Sequence, residues 1–159
     1  MKQDMIRISS RLVEGAIAAD IVCHGKSELL TRLSAIAAEN YGLDADVVLE
    51  GLVERERLGP TGFGGGTAIP HCKVTGIDTP VAIFARLAKP VEYNAVDDEP
   101  VDLVCALVSP AQDGASHLRA LAEISRLFRD EKFRSQLRGA ADADAMFALL
   151  MLPEERDAA

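Results

Sequence analysis

The chain has 159 residues, 48% apolar and 26% charged, the balance of a single globular domain large enough to bury roughly two-thirds of its unfolded surface. No apolar run reaches the roughly 20 residues of a membrane span, and Met1-Lys2-Gln3-Asp4-Met5 has no signal-peptide core, so membrane insertion is excluded and a cytoplasmic location expected. A formal net charge of −8, from 17 Lys+Arg against 25 Asp+Glu, argues against nucleic acid as a partner.

The acidity is uneven. Residues 113–139 carry six basic and four acidic side chains, whereas 140–159 carry one basic and five acidic, so an acidic tail over 153–159 is expected behind a core of about 6–152. Cys23, Cys72 and Cys105 form no spaced framework and read as free thiols of a reducing compartment.

In chain order, Cys23 and His24 fall in a loop ahead of the first helix. That helix is predicted from an N-cap at Ser27, with Leu29, Leu30, Leu33, Ile36 and Ala37 on its buried face and Gly42 as its stop. Asp44 caps a second helix carrying Val48, Leu52 and Arg55 on one face and closed by Gly59-Pro60. Then comes the segment Thr61-Gly62-Phe63-Gly64-Gly65-Gly66-Thr67-Ala68-Ile69-Pro70-His71-Cys72. Four glycines in five positions suit unusual dihedrals or close approach to a partner, and Pro70 presents His71 at a defined angle.

Residues 81–87 and 101–108 read as strands, the second apolar throughout and so covered on both faces. The stretch from Tyr93 to Pro100 reads as turn and surface, with Asp97, Asp98 and Glu99 a solvated edge rather than a metal site. Asp113 to Ser116 cap a helix running to about Arg129 whose buried face is read as Leu118, Leu121, Ala122, Ser125 and Phe128. Shorter helices follow near 131–137 and 143–152, the last opened by Asp142. This order implies an α/β domain, a sheet with helices packed on both faces.

The chemistry centres on His71 after the glycine loop and His117 in the first turn of the helix that follows the central strand. Sites gather where strands end and helices begin, and the free amides of a helix N-terminus favour phosphate. Two imidazoles there suit one phosphoryl group, one as nucleophile and the other as hydrogen-bond donor, although a structural loop and a solvent-facing His117 also fit the pattern. A nucleotide loop does not fit, because no Lys-Ser/Thr follows the glycines and their spacing is not G-x-G-x-x-G. Cys23-His24 and His71-Cys72 are adjacent pairs, an awkward geometry for zinc, so neither metal nor cofactor is expected.

Arg55-Glu56-Arg57-Leu58-Gly59-Pro60-Thr61-Gly62, Ala68-Ile69-Pro70-His71, Pro100-Val101-Asp102-Leu103-Val104 and Ser116-His117-Leu118, in that order, carry a resemblance. Over roughly residues 6–152 the chain resembles the mannitol/fructose-type IIA domains of the bacterial phosphoenolpyruvate-dependent phosphotransferase system, and among them most the nitrogen-regulatory branch. The resemblance implies a mixed, roughly five-stranded sheet flanked by helices. It implies a phosphocarrier, not an independent small-molecule enzyme, with His71 as phosphoryl acceptor, His117 stabilising the group and Arg55 orienting the phosphate. The implied donor is an HPr-like phosphohistidine protein approaching over Gly62, Gly64, Gly65 and Gly66. The implied recipients are regulatory targets or, for a sugar-specific carrier, a IIB domain.

Two departures stand out. Sugar-transporting members often carry an acidic residue six positions before the active histidine, where this chain has Gly65, which favours the regulatory branch. Cys72 stands where glycine is common, and is expected to bulk the edge of the site and sensitise it to oxidation.

Overall fold

Five α-helices and six β-strands make up the computed structural model, which describes residues 8–152; the expected acidic tail lies outside the described residues. Two short 3-10 turns, Ile8–Arg11 and Glu14–Ala16, lead into β1 (Ile17–Ile21). Helices α1 (Lys26–Tyr41) and α2 (Ala45–Leu58) follow, then the short strands β2 (Gly62–Gly64), β3 (Thr67–Ala68) and β4 (His71–Val74). The long strands β5 (Val81–Val91) and β6 (Val101–Pro110) precede α3 (Gly114–Arg129), α4 (Glu131–Gly139) and α5 (Ala143–Leu150).

The strands form one mixed sheet in the order β1-β5-β6-β3-β2, with β4 also on β6. β5 and β6 are antiparallel, while β1 on β5 and both β3 and β4 on β6 are parallel. β3 and β4 lie end to end along the same side of β6, pairing with Leu103–Val104 and with Leu107–Pro110, so the sheet is five positions wide. Pro70, with no N–H to donate to the ladder, sits in the gap between them.

β6 explains its own composition. Val104, Ala106 and Val108 meet Leu29, Leu33, Val48 and Leu52 of α1 and α2 on one face, and Leu103, Cys105 and Leu107 meet Ile124, Phe128, Phe133, Leu137 and Met146 of α3 to α5 on the other. Helices therefore cover both faces, as the sequence implies. Asp44, Asp113, Asp130 and Asp142 each accept hydrogen bonds from first-turn amides, fixing where α2 to α5 begin. Gly42 closes α1 in the left-handed conformation.

Several expectations are corrected. α1 begins at Lys26 behind Gly25 as N-cap, not behind Ser27. β1 is an additional strand whose sequence, Ile-Ala-Ala-Asp-Ile, has weak strand propensity and is held by pairing to β5 and by Asp20 on Arg86. The glycine segment is a tight hairpin, β2 and β3 joined through Gly64, Gly65 and Gly66, all at positive φ. Tyr93, expected at the surface, is wholly buried. On α3 the inward face is Ser116, His117, Ala120, Ile124 and Phe128, and Leu118 is 68% exposed. The apolar residues of this helix span a wide arc, and the part of it that packs on the sheet centres on Ala120, Ile124 and Phe128.

Candidate functional site

His71 opens β4 beside the carboxyl-terminal half of β6, and the strand's alternation turns Cys72 and Val74 into the α1/α2 core. The His71 Nδ1 lies 2.7 Å from the Ile69 carbonyl oxygen. A carbonyl only accepts, so Nδ1 carries the proton and Nε2 holds the lone pair. That lone pair accepts from Arg55 Nε at 3.2 Å, and the same guanidinium donates through Nη1 to the Gly59 carbonyl at 2.8 Å. Arg55 occupies the last turn of α2, where the helix end and its free carbonyls suit a cation.

His117 approaches from α3, its ring centroid 5.5 Å from that of His71 and tilted by 49°. Its residue is only 6% exposed, so the solvent-facing alternative is ruled out. The His117 Nδ1 is 2.7 Å from Ser109 Oγ, a side chain wholly buried near the end of β6. The structure therefore brings His71, His117 and Arg55 together.

Both imidazoles are shifted toward the neutral form. Burial lowers the pKa of His71 most, Arg55 and Lys73 add to the fall, and the Ile69 carbonyl and Glu56 oppose it. His117 is pushed down to about 4, first by burial and then by the neighbouring His71 and Lys73. A neutral Nε2 beside a guanidinium, with a second neutral imidazole at hand, is an arrangement for nucleophilic attack on an electrophile that carries negative charge.

The glycines lie elsewhere. The Gly66 carbonyl accepts from Asp102 and Leu103 at the start of β6, whereas His71 pairs with Leu107, four residues or roughly 13 Å further along. Gly65 donates to Asp97 Oδ2, and the Gly65 carbonyl accepts from Arg138 Nη2. Gly62 is buried against Ala95, where an added Cβ would sit 2.5 Å from the Ala95 Cα. Gly64, Gly65 and Gly66 make a turn at the start of β6, away from His71, and Gly62 makes a close strand approach. Two exposed apolar side chains neighbour site residues in the chain: Leu58, 84% exposed, three residues after Arg55 at the end of α2, and Leu118, which follows His117.

Cys72 is also relocated. It packs on Gly51 and Val48 of α2, and burial raises its pKa to about 12, so it neither edges the site nor offers a thiolate for oxidation. Among the described residues no cluster of His, Cys, Asp or Glu has the arrangement of a metal site. Sequence reading missed Ser109, hidden in an apolar strand, and the Ile69 carbonyl, which no side-chain pattern reveals.

The match to a family model settles where this geometry belongs. Residues 12–151 match the model of the phosphoenolpyruvate-dependent sugar phosphotransferase system, EIIA 2. The chain belongs to that family. A relative from Bradyrhizobium diazoefficiens described as a nitrogen regulatory protein is 40% identical over 146 residues, 92% of this chain and 95% of its own. The crystal structure of nitrogen regulatory protein IIA-Ntr from Neisseria meningitidis superposes with a TM-score of 0.84 at 30% identity, covering 91% of this chain and 99% of that one. Enzyme IIAMTL from Escherichia coli, in its complex with phosphorylated enzyme IIBMTL, shares the EIIA 2 fold at a TM-score of 0.69 and 18% identity, covering 87% of this chain and 94% of that one.

Proposed function

We propose that this EIIA 2 protein is a phosphocarrier that accepts a phosphoryl group on Nε2 of His71 from an HPr-like phosphohistidine protein, and that it acts as a regulatory, nitrogen-related IIA protein whose partners depend on that phosphorylation. The observation that carries the reading is the proton on Nδ1, held by the Ile69 carbonyl, which leaves the Nε2 lone pair facing Arg55 beside His117.

The transfer requires no proton to move. The Nε2 lone pair forms the new N–P bond as the donor's N–P bond breaks, and that electron pair returns to the donor imidazole. Negative charge spreads over three equatorial oxygens in the transition state, so the protein's task is alignment and charge stabilisation. Arg55 releases the lone pair and turns its donors onto the incoming oxygens, a task for which its planar fork is suited. His117 donates from Nε2, which requires its Nδ1 to accept; Ser109 Oγ–H is the donor that meets this need.

Leu58 and Leu118 supply an apolar rim over which the donor's surface closes. The product carries about −1.5 to −2 additional charge in the middle of that rim, enough to change which protein fits there. The regulatory reading is supported by the names of the relatives and by Gly65, where sugar carriers often place an acid. The three free cysteines and the absence, among the described residues, of any helix long and apolar enough to cross a membrane agree with a cytoplasmic site of action.

Incubation with phosphoenolpyruvate, the first enzyme of the system and an HPr-like donor, followed by intact-mass measurement, tests the reading. The wild type gains one phosphoryl group, His71→Ala gains none, and His117→Ala gains it slowly. Full labelling of His71→Ala overturns the assignment, and rapid passage of label to an added IIB domain identifies a sugar carrier instead.

A further inference from the structure

Glu56 follows Arg55 on α2 and is bonded to a different set of partners, its side chain only 6% exposed. Its two carboxylate oxygens accept from four donors: Lys26 Nζ at 3.1 Å, Thr61 N at 2.8 Å, Thr61 Oγ1 at 2.6 Å and Tyr93 OH at 3.4 Å. The Lys26 ammonium lies 4.5 Å above the Tyr93 ring, closing the cluster from the α1 side. None of these groups touches the reacting imidazole.

Besides the through-space charge of Glu56, which favours protonation of His71, they are linked to it through the backbone. The Thr61 carbonyl accepts from Ile69 N at 3.0 Å, and the Ile69 carbonyl accepts from His71 Nδ1. On the other side of the ring, Arg55 donates to His71 Nε2 and to the carbonyl of Gly59, two residues before Thr61. The turn from Gly59 to Thr61 thus anchors both hydrogen bonds to His71, and Glu56 is what ties that turn down.

We propose that Glu56 is a positioning residue for the phosphoryl acceptor, holding through Thr61 and Ile69 the peptide that keeps the His71 proton on Nδ1 and Nε2 free to attack. The proposal rests on the phosphocarrier reading for its kinetic consequence, though not for its structural one. The carboxylate suits this cluster because Lys26 Nζ and Thr61 N share Oε2 while Thr61 Oγ1 donates to Oε1; an amide is uncharged and replaces one of the two acceptor oxygens with a donor. With the amide, the Thr61 peptide loses a buried charge-assisted bond, the Ile69 carbonyl is no longer fixed, and His71 samples both tautomers.

Glu56→Gln tests this with two readouts. Long-range 1H–15N correlation spectra of the unphosphorylated protein report the His71 tautomer without any donor present. The wild type shows the Nδ1–H form alone and Glu56→Gln a mixture of both forms. Single-turnover transfer from the phosphorylated donor falls about tenfold in its maximal rate, with the donor concentration for half-maximal rate unchanged. Thr61→Ser, which keeps both bonds to Glu56, retains the wild-type tautomer and rate. Should Glu56→Gln not fold, Thr61→Val, which removes only the hydroxyl donor, shifts the tautomer and rate in the same direction by less.

A folded Glu56→Gln protein with His71 wholly in the Nδ1–H form overturns the proposal, as does a slower transfer without any tautomer change. A wild type that takes no phosphoryl group refutes the phosphocarrier reading instead, and the tautomer spectra still decide the role of Glu56.

Discussion

Ser109→Ala removes one oxygen atom from a wholly buried position, and the structure states what that atom does. Among the described residues its hydrogen-bond partner is His117 Nδ1, at 2.7 Å. A buried neutral hydrogen bond contributes about 1–1.5 kcal/mol net, and 1.4 kcal/mol corresponds to about a factor of ten in rate. If Ser109 serves transfer by fixing His117 with Nε2 protonated, the alanine variant should accept phosphate about tenfold more slowly while still being labelled to completion on His71. Rapid-quench transfer from a phosphorylated donor measures this. The double variant Ser109→Ala/His117→Ala supplies the control, because the serine acts only through that imidazole: its rate should equal that of His117→Ala alone, the coupling matching the whole effect of the serine. Additive losses in the double variant, or wild-type transfer by Ser109→Ala, would refute the assigned role.

Further outcomes follow from the same geometry. NMR titration of the ring protons should give midpoints below about 6.5 for both site histidines, with His117 near about 4. Because folding depresses the His117 pKa, its contribution to stability is present above about pH 6.5 and lost as pH falls toward about 4; urea unfolding of wild type against His117→Gln should show the two converging across that window. Gly62→Ala drives a Cβ to 2.5 Å from the Ala95 backbone and should cost about 1–3 kcal/mol in thermal or denaturant unfolding. Gly65→Ala, at a φ of +65°, should cost about 1–2 kcal/mol of stability and leave transfer unchanged, since that turn stands away from His71. Leu58→Ser and Leu118→Ser should alter stability by less than about 0.5 kcal/mol while raising severalfold the donor concentration needed for half-maximal transfer.

Much of this molecule is legible in its residues. The apolar run of β6 announces a central strand, the Asp caps announce helix starts, and Pro70 before His71 announces a presented imidazole. The same local logic fails where tertiary contacts decide. β1 carries two alanines and an aspartate and becomes a strand only because β5 offers it a parallel edge. Leu118 fits the apolar stripe of α3 and is nonetheless exposed, because the face that packs on the sheet is that of Ala120, Ile124 and Phe128. The glycines sit next to His71 in sequence, but an extended chain of five residues carries them to the other end of β6. Ser109 lies in an apolar strand, and Glu56 stands inside a motif that names it without showing that it bonds Thr61.

The break in the ladder at Pro70 has a consequence for how this surface can diverge. Because the strand is interrupted, the Ile69 carbonyl is given to the imidazole, and the nitrogen of His71 that carries the proton is chosen by main chain. The rim proposed to meet other proteins is written in side chains, the exposed Leu58 and Leu118. Substitutions at the rim can therefore change which protein docks without retuning the nucleophile, and one reactive centre can be presented to many partners.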